Sequence, residues 1–520
     1  MKGRVIALFV LINPKCEDPR KNIFPLGLSY ISSVLKKYGS VKIFDLHYSN
    51  DEDEMMMYFF SHSIKYAGIT ACTDAMPEIT RLAKLIKQIS PQTLIGIGGP
   101  HATFQGYETL TRHYEFDMAF LAEGELSAKQ LAENLVSNRE KWYEGISNII
   151  FRDENNKIRY GETAICSLKE IPQPDRISFP SPDDMARKKK LDVPLISIDT
   201  SRGCAGYCSF CALAVDQKRR WKCRDLQQVY EELENIFAVY SYTQVDLFIV
   251  DADFLASPVR ALKIIQIIRK FPQIRYYTIA ACAHSILKAK DILEDLFESG
   301  CRTIEIGIES GSETQLIRYQ KRSTVQQNDQ AIELIKKYDQ KYQLLISVDL
   351  VVFDPYVTRQ ELKQTIDFIK KHFYGENGKE PCLFSYLQLF TGTKLYRQAI
   401  KDGLAGGGSE LQTPFWRFQT KDTETIYRYI KLFEQLIYIN LCKLREELKP
   451  ILESPERYFR DLKSRLQFMK DFRWLNIISY DYFSFVLDNQ EETIKLEFSK
   501  IYDKLREIED KYSALEMQMV

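Results

Sequence analysis

The chain is poor in histidine and has no excess charge of either sign: six His, and 71 Lys plus Arg against 71 Asp plus Glu, in 520 residues. Few imidazoles make a His-rich metal centre hard to build. Zero net charge argues against a general basic field that would hold nucleic acid, though a local basic groove stays open. No stretch approaches the roughly 20 consecutive apolar residues that span a bilayer. The opening MKGRVIALFVLINP places basic residues before an apolar run, as a secretory signal does. However, Val5 to Ile12 is only eight residues, Asn13-Pro14 closes it, and no small-x-small cleavage site follows. It reads as a buried first strand, and the chain as a cytoplasmic protein. Thiols stay reduced there, and eleven Cys, an odd number, fit a disulfide framework poorly. Clustered cysteines are then ligands or nucleophiles. With 45% hydrophobic and 27% charged residues the chain is globular, and its length suits roughly three domains.

From residue 5 to about 150, short apolar runs alternate with helical periodicity, as in a doubly wound, Rossmann-like sheet. The strand candidates are Val5–Ile12, Val41–Phe44, Ala67–Thr70, Leu94–Ile97 and Met118–Leu121, with helices over Gly27–Lys37 and Met76–Ile89. RDENNKIRYGE reads as a polar hairpin, and IPQPDRISFPSPDD, with four prolines, places a linker over residues 151–194. Alternation resumes at Leu195–Thr200, Val245–Val250, Arg275–Ala281, Arg302–Ile308, Leu344–Phe353 and Leu383–Leu389. Six such units over 195–400 are too few for a closed eight-stranded barrel but suit a partial (β/α)6 barrel, whose active face is at the strand C-termini.

Directly after the first of these strands comes SRGCAGYCSFCAL, with Cys204, Cys208 and Cys211 in one strand-to-helix loop. Three thiolates this close can hold three corners of a 4Fe-4S cluster and leave one iron open to an outside ligand. Structural zinc wants four ligands, usually as two separated pairs, and the nearest spare thiol, Cys223, lies twelve residues on.

With this loop the sequence resembles the radical S-adenosylmethionine (SAM) superfamily. The resemblance implies that the three cysteines hold the cluster and that the methionyl amine and carboxylate of SAM chelate the fourth iron. It implies that Phe210 contacts adenine. VDADF puts Asp251 or Asp253 near the methionyl amine, and EIGIESGSE puts Glu309 near the cofactor. VVFDPYVTRQEL and LQLFTGTKLYRQAIKDGL resemble later segments of the superfamily branch that carries a cobalamin domain, with Thr391 in place of the usual proline.

The branch resemblance extends to the first domain through FPLGLSYISSVLKKYG, GIGGPHATF and LAEGELSAKQL. It implies a cobalamin site at Pro25, Gly98, Gly99, His101, Glu123 and Gly124, with Gly-Gly letting a nucleotide tail approach the backbone and Gly124 making a tight turn. Domains that replace cobalt's lower base with histidine carry D-x-H-x-x-G after the first strand, but here that loop, NPKCEDPRKN, has no His. Asp45 to Asn50 imitates the motif after the second strand; His47 reads as an ordinary loop histidine, Cys16 as a solvent-facing thiol, and His101 as lying near the tail. Cobalt's lower face is unassigned.

Beyond residue 420 amphipathic helices dominate, for example through Ile426, Tyr427, Ile430, Phe433, Leu436 and Ile437, so residues 401–520 read as a helical domain. Its last segment repeats apolar residues every seven at Ile494, Ile501, Ile508, Leu515 and at Phe498, Leu505, Tyr512, Met519. That seam either docks on its own chain or offers a face for self-association. GLAGGGSE suggests a mobile connection, and Trp416 and Arg417 either contact substrate or anchor a domain interface.

The resemblance implies a 4Fe-4S cluster, SAM and cobalamin as cofactors, and an electron donor such as flavodoxin or ferredoxin. The implied activity is methylation of an unactivated carbon of a small-molecule or peptide natural product, through a 5'-deoxyadenosyl radical and methylcobalamin. Radical cyclisation, ring contraction or rearrangement without methyl transfer is the alternative within the same architecture. A cobalamin-binding sensor with a structural cluster is another. A methylthiotransferase acting on RNA is a third, but the chain lacks a second cysteine triad before residue 195, an evident basic C-terminal module and net positive charge.

Overall fold

In the computed structural model, which describes residues 7–16, 24–49, 51–189, 191–215, 221–240, 242–375, 383–406, 415–453 and 462–516, the first apolar run forms strand β1 (Ala7–Asn13). Val5 and Ile6 lie outside the described residues. Next come β2 (Gly39–Asp45), β3 (Tyr66–Thr70), β4 (Leu94–Gly98) and β5 (Met118–Phe120), ordered β2-β1-β3-β4-β5 with every neighbouring pair parallel. Helices cover both faces, so Phe9, Val10, Leu11 and Ile12 are all fully buried. The chain leaves β1 on one side for β2 and comes back on the other for β3. This reversal opens a crevice at the carboxyl ends of β1 and β3, where open α/β sheets bind ligands.

The polar hairpin forms β6 (Ile149–Arg152) and β7 (Ile158–Tyr160), which join the same sheet antiparallel beyond β5. The sheet therefore runs to Tyr160, past the expected end at 150. The proline-rich segment after it is a strap bonded to both neighbours. Asp175 accepts from Ser32 at 2.6 Å on the first helix (Leu26–Leu35) and pairs at 2.7 Å with Lys36, the residue that caps its C-terminus. The adjacent Arg176 donates to the Ser197 carbonyl at 2.7 Å and pairs with Glu232 in the second unit.

The second sheet contains β8 (Leu195–Ile198), β11 (Val245–Ile249), β12 (Ile274–Cys282), β13 (Cys301–Glu309) and β14 (Leu345–Leu350), ordered β14-β13-β12-β11-β8 and wholly parallel. Between β8 and β11 a short ribbon pairs β9 (Ser201–Arg202) with β10 (Lys222–Cys223) antiparallel. The expected sixth strand at Leu383–Leu389 is reduced to one parallel bridge, Phe353 to Tyr386. Ser385 explains why: its hydroxyl donates to the Leu350 carbonyl at 2.7 Å and accepts from the Val352 N–H at 3.3 Å, taking backbone groups that a ladder would use.

The C-terminal helices share one apolar core with this sheet. Phe353 meets Tyr427 and Phe483 with ring centroids 5.1 Å and 5.9 Å apart. Ile426, Ile430, Phe433 and Ile437 are buried as the periodicity requires, but a π turn at Glu434–Tyr438 shifts the register and leaves Leu436 46% exposed. The heptad seam lies in the helix Glu491–Glu516 and docks in cis. Ile494, Ile501, Leu505, Ile508 and Tyr512 are buried, and the Tyr512 hydroxyl donates to Asp471 at 2.7 Å. The face offered for self-association is thus covered by the chain's own helix Leu462–Asp488; the Leu515 side chain and Met519 lie outside what is described. Of the glycine-rich connection, Gly407 to Glu410 lie outside it too. Trp416 donates its indole N–H to the Leu387 carbonyl at 2.7 Å and stacks edge-on against Phe418 at 4.9 Å, which makes it an anchor between layers. Among the described residues no helix is long and apolar enough to cross a membrane.

Candidate active site

The ribbon of β9 and β10 closes the base of the cysteine loop. Cys204, Cys208 and Cys211 are all half-buried and free. A Cβ on Gly206 would lie 3.4 Å from the Cys204 sulfur and 3.8 Å from that of Cys208, so glycine keeps the space between two thiols open. Burial pushes the Cys208 thiol up to about 11 and raises Cys211 as well; the Lys321 ammonium opposes the rise at Cys208. Among the described residues no three His, Cys, Asp or Glu converge on a single metal ion. A tetrahedral zinc centre needs that convergence. A cubane, where each thiolate takes its own iron, does not.

Asp251 and Asp253 follow β11 but differ in what they have left to give. Asp251 accepts the Thr200 N–H and the Thr200 and Ser201 hydroxyls, each at 2.6 Å, and so fixes the turn from β8 into the cysteine loop. Asp253 accepts from Ser285 at 2.7 Å and Cys282 at 3.3 Å through Oδ2, while its buried Oδ1 has no partner. Burial raises both carboxyls above their usual range. Of the two, Asp253 is the one with a free oxygen for an ammonium or hydroxyl.

Glu309 ends β13 with φ +65° and pairs with Lys321 at 2.6 Å, both nearly buried. Burial alone would lower Lys321; Glu309 outweighs it and keeps the lysine cationic. Phe210 packs edge-on against Tyr319 at 5.1 Å, in a small apolar cluster with Leu389 and Leu395. Sequence reasoning missed Lys321, which follows the short helix Glu313–Arg318 and sits beside Arg322, so nothing local marks it out from its cationic neighbours.

On the other side, Gly99 has φ +101°, and a Cβ there would lie 2.9 Å from the Ala71 carbonyl oxygen, so only glycine fits. Gly98 leaves its own Cβ position open, with nothing closer than 3.9 Å. Pro25 precedes the first helix as its N-cap residue. His101 is buried with Nδ1 3.1 Å from the Thr73 hydroxyl and Nε2 2.9 Å from that of Thr109, so both nitrogens serve the fold. In the Glu123-Gly124 turn the left-handed residue is Ala122, φ +53°, not Gly124, φ −90°. Gly124 eases packing instead, since a Cβ would lie 3.2 Å from the Ile31 Cδ1, which would have to give by a few tenths of an ångström. Cys16 is half-buried rather than solvent-facing, and with His47 it lines the crevice.

A cavity of about 680 Å³ lies between the two sheets; Pro25, Gly98, Gly99, Glu123 and Gly124 line it, whereas Cys204, Cys208, Cys211, Phe210, Asp251, Asp253, Glu309 and His101 do not. Asn13, Thr70, Gly98 and Gly99 form its first wall, and Asp199, Arg202, Leu213 and Ala252 the opposite one. Leu213 belongs to the cysteine loop and Ala252 to the turn after β11, so the cavity reaches both.

Two family models match separate parts of the chain: the B12 binding domain over residues 18–132 and the radical SAM superfamily over residues 198–369. Residues 18–132 thus carry a B12 binding domain and residues 198–369 a radical SAM domain. The chain is 29% identical over 419 residues to an uncharacterized methyltransferase of Pyrococcus horikoshii, covering 79% of this chain and 86% of that one. It is 24% identical over 328 residues to the anaerobic magnesium-protoporphyrin IX monomethyl ester cyclase of Rubrivivax gelatinosus, covering 60% of this chain and 56% of that one. Among solved structures, the cobalamin-dependent SAM radical enzyme OxsB aligns with 99% of this chain and 80% of its own at TM-score 0.76 and 15% identity. The radical SAM methyltransferase TsrM of Kitasatospora setae aligns with 76% of this chain and 78% of its own at TM-score 0.61 and 18% identity. At these identities the structures speak to fold, and OxsB matches through the C-terminal helices.

Two outcomes follow. Asp251→Ala strips three buried donors of their acceptor, a local cost of about 3 kcal/mol or more, and iron retained after anaerobic reconstitution falls while the far-ultraviolet spectrum is kept. Asp349, on β14, is more than a third exposed, yet its partial enclosure and then the Glu309 and Glu305 charges push its carboxyl up to about 6. Because the folded state holds this proton more tightly than an ordinary aspartate, with its value of 3.8, the penalty grows as pH rises from there through 6 and is constant above. Because solvent screens an exposed carboxyl, Asp349→Asn is only slightly more stable than the parent at pH 7 and close to equal at pH 4, read from urea midpoints.

Proposed function

We propose that the chain is a cobalamin-dependent radical SAM enzyme acting on a small molecule, and that it rearranges or closes a ring in its substrate without net methyl transfer. The observation that carries the cofactor assignment is the single cavity bounded on one wall by the Gly98-Gly99 cradle and on the other by the cysteine loop and the turn after β11. Two cofactors held on those walls would face a common substrate.

Bound there, a 4Fe-4S cluster with SAM supplies a hydrogen-abstracting radical and cobalamin supplies a cobalt centre. Every other part of the assignment belongs to this chain's side chains. Cys204, Cys208 and Cys211 would each hold one iron, and Asp251 keeps their loop in place. The free Oδ1 of Asp253 would accept from the methionyl ammonium, and the half-buried Phe210 would offer its ring to the adenine. The Glu309–Lys321 pair places a fixed cation beside Cys208. On the first wall the Gly98 backbone would take the nucleotide tail. His101 would support the helix beside it rather than bind cobalt.

The reading without net methyl transfer is supported by the fold neighbour OxsB, which aligns with 99% of the chain, C-terminal helices included, where the methyltransferase TsrM aligns with 76%. The cyclase relative supports it by name. C-methylation is the second reading, favoured by the 29% identity to the Pyrococcus methyltransferase.

Anaerobic turnover with SAM carrying a deuterated methyl group separates these readings by mass spectrometry. The expected result is 5'-deoxyadenosine in reducing conditions, abolished by Cys208→Ala, with no label in product or on the corrin. Label in the product supports methylation instead. A loaded chain that forms no 5'-deoxyadenosine rejects both readings and leaves a binding protein.

A further inference from the structure

In the β9–β10 ribbon Lys222 stands opposite Arg202 in register. Cross-strand partners project from the same face of a pair, so the ribbon delivers two cations side by side. They meet two carboxylates of the B12 domain that flank Gly124. Arg202 Nη1 donates to Glu125 at 2.7 Å and its Nε to Asp199 at 2.7 Å. Lys222 donates to Glu123 and to the Cys166 carbonyl, the latter at 3.1 Å. Tyr30, on the helix against which Gly124 is pressed, donates to the same Asp199 at 2.6 Å and lies under the Arg202 guanidinium, 4.7 Å from its ring centroid.

The ribbon is also the base of the cysteine loop: Arg202 lies two residues before Cys204, and Trp221, next to Lys222, donates to Ser201 at 3.0 Å. Its grip is on the cavity wall itself, because Glu123, Gly124, Glu125, Arg202 and Gly203 all line the cavity. We propose that Arg202 and Lys222 are positioning residues, forming a two-cation clamp that sets the distance and angle between the corrin and the iron–sulfur cluster. This rests on the reading of the cavity as the cobalamin site. The acidic turn that the family resemblance assigns to cofactor contact thus spends its carboxylates on the other domain. About a fifth of each clamp side chain except Glu125 is exposed, so the pairs are held but not sealed.

The test uses the full chain, loaded anaerobically with cluster and cobalamin and reduced so that both centres are paramagnetic. Pulsed electron paramagnetic resonance reads the cobalt–cluster dipolar coupling, and a spectrophotometric titration reads cobalamin affinity, for wild type, Lys222→Gln, Arg202→Gln and the swap Glu123→Lys/Lys222→Glu. The expected result is that both single variants keep their iron while the coupling distribution broadens and cobalamin affinity falls about tenfold, with the swap restoring the wild-type coupling. Unchanged coupling in both single variants overturns the clamp. So does loss of the iron or of the fold in the milder variant, Lys222→Gln, since the ribbon would then be a folding element. A wild-type chain that takes up no cobalamin rejects the functional reading instead, which separates the two failures.

Discussion

Everything about the site depends on a buried, electrically balanced group of charges at the seam between the two sheets. Three guanidiniums, Arg176, Arg202 and Arg224, meet three carboxylates, Asp199, Glu125 and Glu232, with the Tyr30 hydroxyl hydrogen-bonded to Asp199. Burial would raise Asp199, but the Arg202 and Arg224 charges outweigh it and hold the carboxyl below its ordinary range. Such a group is weak evidence of net stability, because desolvation consumes most of the Coulombic gain. Removing one member, however, strands its partner at about 3–5 kcal/mol. Its effect is to specify geometry: the cluster is built on the strap and the second sheet's side and reaches the first domain through Glu125 and the Tyr30 hydroxyl, so the domains meet where those two groups find their partners.

That seam explains why the two walls of the cavity face each other. The strap residues Asp175 and Arg176 tie one domain each from adjacent positions, so the proline-rich segment couples the sheets where a free linker would let them drift. The switch point of the first sheet and the strand C-termini of the second are each ordinary binding positions for their folds. What makes them one site is the charged seam that directs both openings into a single cavity.

How much of this was legible in the sequence followed from the range of each interaction. Strands such as β1 and β13 were readable because their apolar runs are local and consecutive, and the three cysteines because their ligand spacing lies within one loop. The sixth barrel strand was misjudged, since the apolar pattern of Leu383–Leu389 does not reveal that Ser385 intercepts its neighbours' backbone groups. Asp251 and Asp253 looked equivalent in VDADF, and only the hydroxyls of Thr200 and Ser201, fifty residues upstream, tell them apart. The clamp was invisible for the same reason, as Arg202 meets a carboxylate 77 positions away and Lys222 one 99 away. The turn at Glu123-Gly124-Glu125 was noticed, but its glycine was credited with a backbone conformation that Ala122 adopts.

The central claim is that two metal centres face each other across one interdomain cavity. Anomalous diffraction from anaerobically grown crystals of the loaded chain, with data collected at the iron and cobalt absorption edges, tests it most directly. The account requires an iron peak bounded by the sulfurs of Cys204, Cys208 and Cys211, and one cobalt peak between the Gly98-Gly99 turn and the Asp199–Arg202 wall. A zinc signal at the cysteines, or cobalt bound anywhere outside that cavity, would contradict it.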